Sequence, residues 1–395
     1  MNKVKKTIED FDLKGKKVII RCDFNVSIKE GIIKDDTRIK EALPTIKYAL
    51  EKGAKVILMS HLGKVKEESD LRKNSLEPVY KKLKELLNNH LYFSPVTRGK
   101  ELEDKVGALK EGEALLIQNT RYEDLDGKKE STNDKKLAQY WASLGDIFIN
   151  DAFGTIHRNH ASNVGIASNL ENGIGFLVQK ELDNLRELND PKRPYVVILG
   201  GAKVTDKIKV IENLAPKADY ILIGGGMAFT FLKAEGLDVG KSLVDEENLS
   251  FAEEMMKKYK DKIVLPIDVL AFNDFNEESV VGNKFISELN FNLEGLDIGI
   301  NSIELFKEVI KKAYTVFWNG PLGVYEFINC QEGTDEIFKE VIKRPLSIIG
   351  GGDIVGAAQE LGYKDKVSFS STGGGATLDY LSGLPLPGYE IINDK

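Results

Sequence analysis

The stretch that best indicates the fold is Ser370-Ser-Thr-Gly-Gly-Gly-Ala-Thr-Leu-Asp-Tyr-Leu381. The apolar Val367 and Phe369 before it predict a strand, and the spacing from Ala376 onward predicts a helix. The three glycines therefore lie where a strand meets a helix N-terminus. Unpaired N–H groups and the positive end of the helix dipole favour an anion there, and glycine lets a phosphate approach the backbone. Taken alone, a glycine triplet in such a loop is more often a tight turn.

The same arrangement recurs at every apolar run that we identify in the second half of the chain, at 195–199, 221–223, 315–318 and 346–349. Each run leads directly into a segment that contains glycine. In an open parallel sheet, ligands bind outside the carboxyl ends of the strands. Five such ends therefore predict one shared binding face, and five unrelated turns become the weaker interpretation.

Length and composition restrict the class of protein. With 395 residues, the chain is long enough for two or more domains. Its net charge of −7 argues against a nucleic acid or a membrane surface as the main partner. Cys22 and Cys330 lie far apart, and no metal-binding cysteine spacing occurs, which indicates reduced thiols. Because we recognise neither a membrane-spanning run nor an export signal, we expect a cytoplasmic protein.

The first half of the chain alternates short apolar runs with segments of helical spacing, which is typical of a parallel sheet covered by helices. An amphipathic segment at 175–188 predicts a helix that Asn189-Asp-Pro-Lys-Arg-Pro194 would end, and we place the domain junction there. The predicted fold is α/β, with two doubly wound, Rossmann-like parallel-sheet domains joined by a hinge helix. The expected bounds are 1–172 with the tail 384–395, 173–190 for the hinge helix, and 191–383. The stretch 383–388 is rich in Pro and Gly, which predicts a non-helical tail.

The strand ends of the two halves differ in chemistry. Those of the second half lead into glycine, whereas those of the first half lead into charged residues, among them Arg21, Arg121 and Arg158. Arg38 lies at a predicted helix start. A fork-shaped guanidinium suits phosphate or carboxylate, although any one of these arginines alone is better explained as solvated surface. As a set, they predict a cationic pocket for a small phosphorylated acid, facing a backbone-lined pocket for a nucleotide.

Several other motifs can be tested. Neither the P-loop nor the G-x-G-x-x-G pattern occurs. His157 and His160 lack matching thiols or carboxylates, so they predict anion contacts or structural hydrogen bonds rather than zinc. Asp353, after a glycine triplet at a predicted helix start, is the best candidate for Mg²⁺ held through nucleotide phosphates; an ordinary helix cap is the alternative. Lys203 and Lys207 are predicted to share one face of the first helical turns, where polyphosphate would offset their repulsion.

Together these segments resemble the phosphoglycerate kinase family. The resemblance spans nearly the whole chain in the family's order, and the following segments carry it: Arg21-x-Asp-Phe-Asn-Val26, Asp36-Thr-Arg-Ile39, Ser60-His-Leu-Gly63, Asn150-Asp-Ala-Phe-Gly-Thr155, Gly200-Gly-Ala-Lys-Val204, Gly224-Gly-Gly-Met-Ala228, Trp318-Asn-Gly-Pro321, Gly350-Gly-Gly-Asp353 and Ser371-Thr-Gly-Gly-Gly-Ala376.

The resemblance implies a monomeric enzyme that closes about a hinge and transfers phosphoryl reversibly from 1,3-bisphosphoglycerate to Mg-ADP, giving 3-phosphoglycerate and ATP. By the family pattern, the positions for 3-phosphoglycerate are Asp23, Asn25, Arg38, His61, Lys64, Arg121 and Arg158. The positions for the nucleotide are Lys203, Lys207, Gly225, Gly295, Asn319, Glu326, Gly351, Gly352 and Asp353, and Asp353 is also the position for Mg²⁺. The positions around the transferred group are Arg38, Lys203, Lys207, Gly373 and Gly374.

The chemistry of the residues agrees with that assignment. A carboxylate that attacks a phosphoryl group is already ionised at neutral pH and needs no general base, and no base stands in an obvious place. The family usually has Arg where this chain has Lys64, so a bidentate contact becomes a point charge. Ile354, Gln118 and Ile300 also depart from the family pattern, but none of them removes a charge from the predicted reaction centre.

Two alternatives remain at this point. A nucleotide-binding regulator of the same fold, suggested by Lys64 and Ile354, would bind ADP without turnover. A dinucleotide-dependent dehydrogenase, suggested only by the strand and glycine pattern, would respond to NAD and not to ADP with 3-phosphoglycerate. A coupled assay for ATP formation and a thermal shift with NAD would discriminate these functions.

Overall fold

The computed structural model describes residues 4–88 and 90–395. Its strands are β1 (Lys17–Cys22), β2 (Ile28–Lys29), β3 (Ile32–Ile33), β4 (Lys55–Met59), β5 (Leu91–Phe93), β6 (Ala114–Leu116), β7 (Ile147–Asp151), β8 (Glu171–Ile174), β9 (Tyr195–Leu199), β10 (Tyr220–Ile223), β11 (Ile263–Val264), β12 (Asp268–Phe272), β13 (Val280–Phe285), β14 (Glu294–Ile298), β15 (Thr315–Asn319), β16 (Leu346–Ile349) and β17 (Phe369–Ser370). Its α-helices are α1 (Thr37–Glu51), α2 (Ser69–Lys73), α3 (Glu77–Leu86), α4 (Lys100–Ala108), α5 (Lys135–Ala142), α6 (Phe176–Arg186), α7 (Ile208–Leu214), α8 (Met227–Ala234), α9 (Leu249–Tyr259), α10 (Ile300–Ile310), α11 (Glu332–Val341), α12 (Gly352–Glu360), α13 (Gly375–Leu381) and α14 (Pro387–Glu390).

The chain divides into two compact units. The first contains the residues up to Leu182 together with Pro385–Lys395. Its sheet has the order β5-β6-β4-β1-β7-β8, and all its neighbouring strands run parallel. Alternate residues of β1 enter different cores, because Val18 and Ile20 pack on one face of the sheet and Ile19 packs on the other. Burial on both faces explains why these strands are continuously apolar.

The second unit, Asp183–Leu384, contains a parallel sheet of order β11-β10-β9-β15-β16-β17. The strand order reverses direction at β9, so the crevice between the ends of β9 and β15 is the expected ligand position. With two six-stranded parallel sheets and covering helices, the predicted α/β fold class is confirmed.

A second sheet in this unit was missed from the sequence. It is antiparallel, has the order β13-β12-β14, and contains a register shift on each side of β12. The expectation that every apolar run of the second half leads into glycine is therefore wrong, since β11 leads into Leu265 and Pro266. Two-residue β11 and the bulged β12 offer too short and irregular a pattern for recognition by periodicity.

Helix α6, predicted from its amphipathic spacing, contains the boundary between the two units, which falls after Leu182. At the C-terminus the chain belongs to the first unit again from Pro385 onward. The backbone of Asn393 pairs with the first unit twice, through Lys6 N–H (2.8 Å) and the Asn172 side-chain oxygen (2.8 Å). The prediction of a wholly non-helical tail is wrong, because Pro387 begins the short helix α14 and supplies the preset φ suited to a first helical turn.

The described part of the chain contains no helix both long enough and apolar enough to cross a membrane.

Candidate functional site

The first unit concentrates charged side chains at the carboxyl ends of neighbouring strands. Asp23 follows β1, His61 follows β4, Arg121 lies in the short 3₁₀ helix after β6, and Arg158 follows β7. Because β6, β4, β1 and β7 are adjacent in the sheet, these ends meet at one edge. Arg38 reaches the same edge from the first turn of α1.

Arg38 and Asp23 form an ion pair through Arg38 Nη1 and Asp23 Oδ2. The Asp23 side chain is 5% exposed, whereas that of Arg38 is 33% exposed. Burial pushes the pKa of Asp23 upward, but the Arg38 and Arg21 guanidinium groups, His61 and the Asn25 N–H together outweigh burial, so the pKa of that carboxyl lies below its ordinary value. The pair therefore holds Arg38 in place while leaving part of its guanidinium accessible.

The remaining groups bring several guanidinium groups close to one another. Burial lowers the pKa of Arg158, and the neighbouring Arg121 lowers it further. Burial and the arginines also keep both histidines neutral, since the pKa of His61 lies well below its usual range and that of His160 falls to about 3. An anion bound here would offset the repulsion between guanidinium groups, as expected for a phosphate or carboxylate site.

Internal hydrogen bonds orient these cations. Arg121 Nη1 donates to Asp124 Oδ2 (3.0 Å) and to Ser131 Oγ (2.6 Å). Arg21 is fully buried and donates through Nε to Ser162 Oγ (2.8 Å). The interpretation of Arg21 as a direct anion contact is thus corrected, since it supports the segment after β7 from inside the protein.

Asn25 and Lys64 lie in loops beside this cluster. Asn25 Oδ1 accepts a hydrogen bond from Gly63 N–H at 2.8 Å, which joins the loops after β1 and β4. Lys64 is exposed, and its backbone oxygen accepts a bond from Asn74 Nδ2 at 2.9 Å. The structure thus leaves Lys64 exposed, whereas Asp23 and His61 are buried.

The second unit contains a cleft of about 840 Å³. Four of the predicted nucleotide positions line it, namely Gly295, Glu326, Gly352 and Asp353. Glu326 and Asp353 are exposed, and Asp353 lies in the first turn of α12 as predicted. The walls combine apolar side chains with bare glycine backbone, which suits an apolar ring system joined to a charged group.

The loops after β9, β10 and β15 touch one another beside this cleft. A Cβ at Gly225 would lie 2.8 Å from Gly201 N, and one at Gly200 would overlap the backbone oxygen of Pro321. Their N–H groups are used internally, because Gly201 N–H donates to Pro321 O (3.0 Å) and Gly225 N–H donates to Leu322 O (2.9 Å). In these three loops glycine therefore permits close backbone packing, and the N–H groups of Gly201 and Gly225 are not free for a ligand.

The loop after β16 reaches the cleft, which Gly352 lines. Gly351 has a φ of +115° and precedes the first residue of α12, a conformation that favours glycine. The buried Asn319 donates through Nδ2 to Gly350 O, so it braces this loop from β15. Within the described residues, Asn319 Oδ1 has no hydrogen-bond partner.

Lys203 and Lys207 precede a helix instead of lying on it. Helix α7 begins at Ile208, and Lys207 is its cap residue, so the prediction of one shared helical face is wrong. The segment is held by Thr205, whose N–H and hydroxyl donate to Asp245 Oδ2 at 3.0 and 2.7 Å. Lys203 is exposed; partial burial lowers the pKa of Lys207, which the carboxylates of Asp206 and Asp353 oppose. Lys207 thus lies within electrostatic range of Asp353.

Gly373 and Gly374 lie between β17 and α13, as the opening stretch predicted. Gly374 is the cap residue of α13, with a φ of +51° that favours glycine. Gly373 N–H donates to Ser371 Oγ at 3.1 Å, and that hydroxyl contacts Thr377 Oγ1 at 2.6 Å. The triplet is therefore held from both sides at the start of a helix.

The family model described as phosphoglycerate kinase matches residues 8–384. This chain belongs to the phosphoglycerate kinase family. A phosphoglycerate kinase of Staphylococcus aureus is 52% identical over 394 residues, covering 99% of this chain and 100% of that protein. The solved structure of phosphoglycerate kinase from Coxiella burnetii has a TM-score of 0.87 at 37% identity, and that from Pyrococcus horikoshii OT3 has 0.85 at 32%; each comparison covers 98% of both chains.

Three buried carboxyl groups of this phosphoglycerate kinase family member were missed by sequence reasoning. Glu130 accepts bonds from Ser162 N–H (2.9 Å) and the Ser162 hydroxyl, beneath Arg21. Burial raises the pKa of Asp151 to about 7 and that of Asp297 to about 8. Glu130 lies in the polar stretch Asp126-Gly-Lys-Lys-Glu130, which has the composition of a solvated turn, so no local signal could have identified it. Asp151 follows the apolar run 147–149, which is a hint, whereas Asp297 lies within the mixed stretch Glu294-Gly-Leu-Asp-Ile298, which gives no such signal.

Proposed function

We propose that this chain transfers a phosphoryl group reversibly from 1,3-bisphosphoglycerate to Mg-ADP, giving 3-phosphoglycerate and ATP. The proposal starts from the family to which the chain belongs, whose members are phosphotransferases with a carboxyl group as acceptor. The observation that carries the substrate assignment is the presence, in one chain, of a guanidinium cluster and of a glycine-lined cleft of about 840 Å³.

In the first unit, 3-phosphoglycerate would bind to the residues named from the family pattern: Asp23, Asn25, Arg38, His61, Lys64, Arg121 and Arg158. The repulsion between Arg121 and Arg158 supports this role, because a triply charged ligand would relieve it. Neutral His61 can still donate or accept a hydrogen bond through its ring nitrogens. The exposed Lys64 would contribute a single point charge.

In the second unit, ADP or ATP would occupy the cleft. Apolar Leu243, Phe275 and Val324 among its walls suit a base, and Gly352 with Asp353 at the start of α12 suits the phosphates. The other proposed contacts are Lys203, Lys207, Gly225, Gly295, Asn319, Glu326 and Gly351.

The residues present fit Mg²⁺ bound mainly through the nucleotide. No group of three or more His, Cys, Asp or Glu residues within the described chain is arranged to hold a metal ion, whereas Asp353 stands exposed in the cleft. Mg²⁺ typically binds through one or two carboxylates, substrate phosphates and water. Asp353 would therefore hold the ion, which would neutralise phosphate charge when bound.

The catalytic contribution of the protein would be positioning and charge stabilisation. The attacking carboxylate needs no general base. Arg38, Lys203 and Lys207, with the Gly373 and Gly374 backbone at the start of α13, would neutralise the oxygens of the transferred group. We further propose that the two units close about α6 before transfer, because an acyl phosphate must be kept from water.

The cellular setting is part of the same proposal. We infer a monomeric cytoplasmic enzyme with no nucleic-acid or membrane partner, in keeping with the net charge of −7 and with a substrate pair of small, soluble anions.

Arg38→Ala tests the reaction assignment. In a coupled assay of ATP formation from 1,3-bisphosphoglycerate and Mg-ADP, we expect kcat to fall by at least about 100-fold with little change in ADP affinity, since one stabilising charge is lost at the transition state. Arg72→Ala, which removes an exposed guanidinium from α2, is the matched control and should behave as wild type. A wild-type protein that binds ADP without forming ATP would overturn the proposal, and a near-normal kcat for Arg38→Ala would overturn the role of Arg38.

A further inference from the structure

Asp297 lies beneath the nucleotide cleft, on strand β14. Three residues of the same strand, Glu294, Gly295 and Leu296, line the cleft, whereas Asp297 is buried with 4% of its surface exposed. Neither the motifs of the sequence nor the proposed reaction gives this carboxyl group a role. A buried carboxyl without a charged partner is costly to retain, so its contacts call for a physical explanation.

The Asp297 carboxyl joins both ends of one segment, 323–333. Oδ2 accepts a hydrogen bond from Gly333 N–H at 2.9 Å, in the first turn of α11, and Oδ1 accepts one from Ile298 N–H at 2.8 Å. A Cβ at Gly323 or at Gly333 would overlap the carboxyl group. The side chain therefore fills the space between the start and the end of this segment.

The residues between those ends form one wall of the cleft. Val324, Tyr325, Glu326 and Gln331 all line it. Two further bonds hold the segment, from Val324 N–H to Leu296 O at 2.7 Å and from Gln331 Nε2 to Tyr325 O at 3.0 Å. Because the segment has little regular structure of its own, the position of this wall depends on where its ends are held.

We propose that Asp297 is a positioning residue for the nucleotide, acting through the segment 323–333 to hold the wall that carries Glu326. The inference rests on the proposed function only for the identity of the ligand as a nucleoside diphosphate. The role of Asp297 is indirect, since it reaches the ligand through Gly323, Gly333 and the residues between them.

Asp297→Asn tests this role because it keeps the shape of the side chain and replaces one acceptor oxygen with a donor NH₂. One of the two N–H groups, of Gly333 or of Ile298, then faces a donor. We expect the Kd for Mg-ADP measured by calorimetry, and the KM for Mg-ADP, to rise about tenfold, the size associated with leaving one buried N–H group without its acceptor. The KM for 3-phosphoglycerate should stay within about twofold of wild type.

Asp268→Asn is the matched control. Asp268 is equally buried, at 1% exposure, and lies in the same three-stranded sheet. It accepts bonds from Asn301 N–H (3.0 Å) and Ser302 N–H (2.7 Å) at the start of α10, and Gly299 packs against it. None of these residues is among those that line the cleft. We expect both variants to lower the thermal midpoint, because each leaves a buried N–H group without an acceptor, but Asp268→Asn should leave the Kd for Mg-ADP within about twofold of wild type.

An unchanged Kd in Asp297→Asn, or an equal rise in Asp268→Asn, would overturn the inference. If Asp297→Asn does not fold, Gly333→Ala disturbs the same contact from the other side and should give the same loss of ADP affinity. Calorimetry needs no turnover, so the inference is tested even if the wild-type protein forms no ATP. A wild-type protein that binds Mg-ADP but forms no ATP would count against the proposed function and would leave the inference on Asp297 unaffected.

Discussion

Lys64 lies where the resemblance to phosphoglycerate kinases implies an arginine. Its side chain is exposed, and its loop is held to Asn25 and Asn74 through backbone contacts. A lysine there supplies a point charge, whereas an arginine could form two parallel hydrogen bonds to a phosphate.

We expect Lys64→Arg to lower the KM for 3-phosphoglycerate by about threefold to tenfold, in the range of one added charge-assisted hydrogen bond. The KM for Mg-ADP should not change. Lys66→Arg, an exposed lysine in the same loop, is the control and should alter neither constant. A KM for 3-phosphoglycerate that stays at the wild-type value would exclude contact between this position and the phosphate.

At the residue scale, the sequence shows the type and order of the charged residues, but it does not show their burial, their charge state or their partners. The type and order of Asp23, Arg38 and His61 are visible in the sequence, and so is the position of Asp23 and His61 after apolar runs and of Arg38 at a helix start. Whether such a group is exposed, neutral or paired depends on neighbours that are distant along the chain. Glu130 shows this most clearly, since it is completely buried within a stretch that is otherwise polar.

At the scale of elements, Asp151 connects strand β7 to helix α6. Asp151 Oδ1 accepts a hydrogen bond from Leu177 N–H at 2.9 Å, in the first turn of α6, and Thr45 Oγ1 accepts one from Phe176 N–H at 2.9 Å. Burial nevertheless raises the pKa of Asp151 to about 7. The group that caps the helix between the two units therefore titrates near neutral pH.

Because the pKa of Asp151 is raised in the folded state, this residue makes the folded protein less stable as the pH rises. In the unfolded chain an aspartate titrates near pH ~4, so the native state holds an extra proton between about pH 4 and 7. The contribution of Asp151 to the free energy of unfolding is present below pH ~4 and decreases by up to about 1.4 kcal/mol per pH unit until it is lost above the native pKa.

Asp151→Asn should remove this dependence. The difference in thermal midpoint between Asp151→Asn and wild type should shift in favour of the variant from pH 5 to about pH 7 and level off above it. A pH-independent difference for Asp151→Asn would contradict the raised pKa.

The glycine loops of the second unit make a separate prediction at the same scale. A Cβ at Gly200 would overlap the Pro321 backbone oxygen, so Gly200→Ala should destabilise the protein by about 1–3 kcal/mol as an overpacking change. Gly107 lies within α4 and has open space around it, so Gly107→Ala should stabilise by about 0.5–1 kcal/mol. Urea unfolding midpoints measure both effects. Equal midpoints for the two variants would refute the packing role of Gly200.

At the scale of the whole molecule, the proposed reaction requires the two units to enclose the substrates. Small-angle scattering with 3-phosphoglycerate and Mg-ADP together should give a smaller radius of gyration than either ligand alone, because each ligand would bind to a different unit. The pair is suitable because neither compound can phosphorylate the other. An unchanged radius with both ligands bound would contradict closure about α6.

The sequence by itself determined the α/β class, the helix α6, and the places where apolar runs end in charge or in glycine, because these features depend on local periodicity and on residue type. Only the tertiary structure decided that the strand order brings Asp23, His61 and Arg158 to one edge, and that Gly200, Gly201 and Gly225 pack against backbone instead of offering free N–H groups. It likewise decided the burial of Asp151 and Asp297. Burial, pKa and hydrogen-bond satisfaction are set by atoms that come close only when distant segments fold together.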